Sequence, residues 1–94
     1  MSNLKLIQLQ VFSKVIELQS FSAAAEYFGV TQPAVTFHVR ELENVLGVSL
    51  IERSSRKSKP TPAGKELLKH SSEIDDAVSR MHSCIARYRS DADE

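Results

Sequence analysis

Gln32, Thr36 and Arg40 follow one another at intervals of four behind the tripeptide Thr31-Gln32-Pro33, with Phe37 and His38 between them. At helical periodicity this spacing lines hydrogen-bonding side chains along one flank of a single helix. An amide such as that of Gln32 donates and accepts together, which matches the N6 and N7 edge of adenine. A guanidinium such as that of Arg40 matches guanine or a backbone phosphate. Thr36 can reach a base or a phosphate, and Phe37 suits either a thymine methyl or a packed position against a neighbouring element. A second set lies downstream. Arg53, Arg56, Lys57 and Lys59 put four positive charges into seven residues that contain no acid. An anionic partner would be drawn there first, although a solvated turn is the plainer reading of such a run.

These side chains need elements to position them. LKLIQLQVFSKVIEL repeats apolar residues at Leu6, Leu9, Phe12 and Ile16 and again at Ile7, Val11, Val15 and Leu18. Those spacings predict a first helix buried on much of its circumference. Gln19 and Ser20 interrupt it, and Ser22 is a candidate N-cap for a short second helix, AAAEYF, that Gly29 ends. Thr31 caps the next helix, with Pro33 in its first turn, and TQPAVTFHVRELENVL runs to a second terminating glycine, Gly47. Val35, Val39, Leu42 and Leu46 make its inward face, leaving Gln32, Thr36, Phe37, Arg40 and Glu43 off that stripe. Past Gly47, VSLIER and KPT read as two short strands joined by the polar, basic turn SSRKS.

Thr61 and Pro62 then cap and open a long helix with no breaker before its end. Its apolar positions, Leu67, Ile74, Val78, Met81, Ile85 and Tyr88, alternate by four and three, with Ser71 filling the one gap. That is a heptad seam, longer than the head can cover, and a second copy of the same helix is its expected partner.

Composition limits the function classes. The 94 residues carry twelve bases and twelve acids, with 41% hydrophobic and 26% charged residues. Those fractions are ordinary for one soluble globular domain. The average hides a gradient. Residues 1 to 64 hold seven bases and five acids, a net of +2, and residues 65 to 94 hold the reverse, with Asp91, Asp93 and Glu94 forming an acidic tail. Neither a membrane span nor a secretory signal is visible, so a cytoplasmic protein is expected. The chain has no paired His and carboxylate motif and no glycine-rich phosphate loop, which argues against an enzyme. No cofactor is expected, because His38, His70 and His82 lack the spacing of a closed metal site. Cys84 stands alone and reads as an ordinary interface or surface thiol. A protein-docking module is the competing class, and salt dependence separates it from a nucleic-acid binder.

Two helices joined by a glycine-containing turn, a helix before them and a basic hairpin after them describe a winged helix-turn-helix. The order of residues makes the pattern specific. Leu6, Leu9 and Phe12 precede Ser20-Phe21-Ser22, Ala24-Ala25 and Thr-Gln-Pro-Ala-Val-Thr at 31 to 36. Leu42-Glu43, Leu46-Gly47, Leu50-Ile51-Glu52-Arg53 and Thr61-Pro62-Ala63-Gly64 follow. From residue 4 to about 88 the chain resembles the N-terminal DNA-binding domain of the LysR-type transcriptional regulators. The resemblance implies a mainly α fold. A winged helix-turn-helix would span 1–61, with its helix-turn-helix at about 21–40 and its wing at about 49–60, and a linker helix would span 62–90. It further implies double-stranded operator DNA as partner and a homodimer through antiparallel linker helices. A small-molecule inducer would bind a C-terminal effector domain that these residues do not include. Carried over by position, the DNA-binding set is Ser22, Thr31, Gln32, Pro33, Thr36, Phe37, His38, Arg40, Arg53, Arg56, Lys57, Lys59 and Thr61. The dimer set is Leu67, Ser71, Ile74, Val78, Met81, Ile85 and Tyr88. The chain departs from the family pattern at Phe37, usually polar, at His38, at Gln19, often glycine, and at Pro60, often leucine, which would shorten the second wing strand.

Overall fold

Caps and breakers decide where each helix starts and stops. A computed structural model describes residues 3–53 and 56–92. Four helices form among them: α1 (Leu6–Leu18), α2 (Phe21–Phe28), α3 (Gln32–Leu46) and α4 (Pro62–Ala92). Gln8 folds its side chain back to accept from the Lys5 backbone N–H at 3.1 Å, which satisfies a donor at the start of α1 that would otherwise lack a helical partner. Helix α1 ends where Gln19 takes a left-handed conformation, φ 57°.

The cap of α2 is Ser20 rather than Ser22: its hydroxyl accepts from the Ala23 N–H at 3.0 Å, and Ser22 is exposed in the first turn. A helix starting at Phe21 lets that ring pack against the core, which a start after Ser22 would forfeit. Gly29, at φ 69°, closes α2. Thr31 accepts from the Ala34 N–H at 3.3 Å to open α3, and Gly47, at φ 73°, closes it, as the spacing predicts.

Helices α1, α2 and α3 enclose one core. Phe12, Val15, Ala24, Val35, Val39 and Leu42 are fully buried, and Leu50 and Ile51, just after α3, complete it. Full burial of each larger side chain is worth roughly 1.5–3 kcal/mol. The apolar stripes extend past this core. Leu46, predicted to face inward, is 38% exposed beside Gly47, and Leu6, Ile7 and Leu18 at the ends of α1 are similarly exposed.

The two predicted wing strands reduce to one antiparallel bridge, Ile51 to Pro60, among the described residues. The Glu52 N–H donates to the Lys59 carbonyl at 2.8 Å and the Thr61 N–H to the Leu50 carbonyl at 3.0 Å. Ile51 and Pro60 form a non-hydrogen-bonded pair with these two bonds on either side of it, so the N–H that Pro60 lacks is not one the ladder uses. Ser54 and Ser55, at the wing tip, lie outside the described residues.

Helix α4 begins against the head and leaves it. Leu67 and Leu68 pack on the core, and the Ser71 hydroxyl, buried, shares a 2.8 Å hydrogen bond with that of Ser13 in α1. With 31 residues the helix is about 46 Å long, close to the molecule's longest dimension of 55 Å. Asp91 continues α4, whereas Asp93 and Glu94 of the acidic tail lie outside the described residues. No helix among the described residues is long and apolar enough to cross a membrane.

Candidate nucleic-acid interface

Burying Val35, Val39 and Leu42 on one side of α3 fixes what the other side presents. Gln32, Thr36, Arg40 and Asn44 form one row at intervals of four, and Pro33, Phe37 and Glu41 form the row beside it. Together they line a shallow hollow on the outer surface. Gln32, Pro33 and Arg40 are exposed and Thr36 is half-buried. The Phe37 ring is 59% exposed, so it does not pack into the protein; its ring contact is edge-on to His38, with centroids 5.7 Å apart. Thr31 is exposed at the helix N-terminus, where unpaired N–H groups and the helix dipole favour an anion.

His38 belongs elsewhere. It is half-buried and lines a second hollow with Asn3, Leu4, Lys5 and Gln8 at the start of α1, with Phe37 and Glu41 bordering both hollows, and its Nδ1 is buried without a hydrogen-bond partner. Position 38 is six residues beyond Gln32, which turns it off the outer rows.

The basic side chains of the wing divide in two. Arg56, Lys57 and Lys59 are exposed. Arg53 is instead paired with the Glu43 carboxylate of α3, while its side chain remains 52% exposed. Thr61 accepts from the Gly64 N–H at 3.0 Å, capping α4, and donates its hydroxyl proton to the Ser49 carbonyl at 2.7 Å. In this arrangement the hydroxyl proton is used inside the chain. On the far side of the head, Glu17 accepts from Lys14 at 3.0 Å, and the ammonium lies 4.2 Å from the Tyr27 ring centroid. The hydrogen bond to Glu17 raises the Lys14 pKa above its ordinary value, with burial opposing it.

The seam on α4 also divides. Ser71 is buried by the chain's own head, which withdraws it from a surface for a second copy, and Leu67 is half-buried against the core. Val78 is half-buried beside Tyr27 and Phe28. Ile74, Met81, Ile85 and Tyr88 are 36%, 53%, 60% and 63% exposed along one face. Cys84 is exposed as well. Among the described residues no cluster of His, Cys, Asp or Glu is placed to hold a metal ion.

Residues 6–65 match the family model described as a bacterial regulatory helix-turn-helix protein of the lysR family. The chain belongs to the lysR family. Among its relatives, the regulator CfxR of Cupriavidus necator is 45% identical over 71 residues, covering 76% of this chain and 22% of that protein. The RuBisCO operon transcriptional regulator of Allochromatium vinosum is 36% identical over 83 residues, covering 88% of this chain and 28% of that protein. The chain thus spans about a quarter of the length of these lysR-family relatives. Among solved structures, a complex of the BenM DNA-binding domain with catB site 1 DNA superposes with a TM-score of 0.87 at 34% identity. That match covers 93% of this chain and 97% of the BenM chain.

Three residues with structural or surface roles escape a reading of the residues one by one. Asn44 extends the Gln32 row, and simple counting by four would have found it. Gln8 is buried because it serves the start of α1; a glutamine three residues into a helix is its local signal. Glu43 looks like a solvated acid from its spacing, yet it is only 13% exposed and holds the wing. Nothing local announces that role, because its partners lie seven to ten residues away.

Proposed function

We propose that this chain binds double-stranded DNA sequence-specifically as a dimer, and serves as the recognition module of a lysR-family transcriptional regulator. The observation that carries the reading is the outer face of α3. Gln32, Thr36 and Arg40 stand in one row on a helix whose opposite side is fully buried, with Phe37 exposed beside them. A helix so presented fits the major groove, with Gln32 reading an adenine edge, Phe37 against a thymine methyl and Arg40 on a guanine or a phosphate. Arg56, Lys57 and Lys59 supply backbone contacts from the wing. The solved BenM domain with DNA supports this assignment, being alike in fold over nearly its whole length.

The role is recognition without catalysis, in the cytoplasm where bacterial DNA lies. A second copy covers the apolar face of α4 at Ile74, Val78, Met81, Ile85 and Tyr88, which sets two recognition helices for half-sites in successive major grooves. A small-molecule inducer would bind in the larger part of the relatives that these residues do not span.

The direct test is selection from a random duplex pool with the purified chain. Convergence on one sequence is expected. Affinity should also fall with salt at a log-log slope of about −0.9 for each phosphate neutralised. A pool that stays random, together with a flat salt response, would count for a protein-docking module instead.

A further inference from the structure

An acid in the last turn of a helix sits against the negative end of the helix dipole. An acid beside a DNA-reading surface repels phosphate. Glu43 has both disadvantages, four residues before the end of α3 at Gly47 and one turn beyond Arg40. Its carboxylate is nonetheless the best-connected acidic group described. Oε2 accepts from the Leu50 N–H at 2.7 Å and from the Ile51 N–H at 3.4 Å, and Oε1 accepts from the Arg53 guanidinium. Leu50 and Ile51 are fully buried. Neither N–H bonds the facing wing segment, where the ladder donors are the Glu52 and Thr61 N–H groups, so both are orphan donors unless a side chain supplies the acceptor.

We propose that Glu43 is a positioning residue for DNA binding: it fixes the angle between recognition helix and wing, and it aims the Arg53 guanidinium at the phosphate backbone. The proposal rests on the DNA-binding reading above. A guanidinium has five donors, and half of the Arg53 side chain remains exposed, so one edge can hold Glu43 while another meets a phosphate. The carboxylate thereby joins three things into one rigid unit: the reading row on α3, the buried root of the wing, and the first of its four basic residues. Arg56, Lys57 and Lys59 extend from that root and inherit its orientation.

Glu43→Gln separates positioning from simple charge. Removing an acid near DNA should strengthen binding if Glu43 acts only through its charge. If it positions Arg53 and the wing, the variant should bind a selected duplex about tenfold more weakly. Its log-log salt slope should become shallower by about 0.9, the share of one phosphate contact. Arg53→Gln should show a similar loss, and combining the two changes should add little to either alone. In the absence of DNA, amide exchange at Leu50 and Ile51 should quicken in Glu43→Gln. Binding equal to or tighter than wild type, or fully additive losses, would overturn the proposal. Should Glu43→Gln fail to fold, Arg53→Lys takes its place: it keeps the charge and loses the fork, and undiminished affinity in it would overturn the proposal equally. Wild-type chain that binds no selected duplex would sink the DNA reading instead, a result distinct from any of these.

Discussion

The outer face of α3 and the distal face of α4 are both exposed, periodic and opposite to a buried or solvated side, yet they are built from opposite materials. Along α3 the exposed rows carry an amide, a hydroxyl and a guanidinium, with one aromatic ring among them. Along α4 the exposed row is Ile74, Met81, Ile85 and Tyr88. The first loses little by facing water and gains hydrogen bonds from a polar partner. The second gains only by leaving water, which an apolar surface of the same periodicity provides. Exposure alone therefore does not mark a binding site; the chemistry of what is exposed says which partner would complete it.

The contrast is most exposed to failure at the seam. Ile85→Asp puts a charge in the middle of the α4 face and leaves the head untouched. Sedimentation should give monomer mass where wild type is dimeric, since an unpaired buried carboxylate costs several kcal/mol. Dimer mass in that variant would mean that the exposed apolar row is not what pairs two copies.

The next largest effect concerns the joint between the two regions. A side chain at Gly64 would overlap the Leu50 carbonyl oxygen and lie 3.1 Å from Pro60 Cβ, because the first turn of α4 passes directly over the wing root. Gly64→Ala should therefore cost about 1–3 kcal/mol in thermal or denaturant unfolding. An unchanged midpoint would show that α4 and the wing are more loosely joined than their contact implies. The smallest effect is in the turn between α1 and α2. Gln19→Gly relieves a left-handed φ of 57°, offset by the greater freedom of glycine in the unfolded chain. A net gain of about 0.5 kcal/mol is expected, and a loss would indicate that the Gln19 side chain holds something.

Local grammar made much of this fold readable beforehand. Thr31, Gly29, Gly47, Thr61 and Pro62 each act within a turn of their own position, and each does in the structure what its neighbours in sequence imply. Ser20 and Ser22 show the limit of that grammar. Either can cap, and the decision falls to the Phe21 ring, which gains a place on the core only if the helix starts early. Leu67 and Ser71 share the seam's periodicity, but Ser13 and the core reach them first. Periodicity identifies a face and cannot say which of two surfaces will cover each part of it. Arg53 and Thr61 were legible as polar groups near an anion, whereas their intrachain partners, Glu43 and Ser49, became visible only once the chain was folded.

The most direct measurement compares wild type, Gln32→Ala and Arg56→Ala on a selected duplex and a scrambled one, by fluorescence anisotropy at fixed salt. With Gln32 on a base edge and Arg56 on the backbone, Gln32→Ala should lose ~1–3 kcal/mol of discrimination between the duplexes, and Arg56→Ala should weaken both alike. Equal losses on both duplexes from Gln32→Ala would contradict a reading role for the outer face of α3.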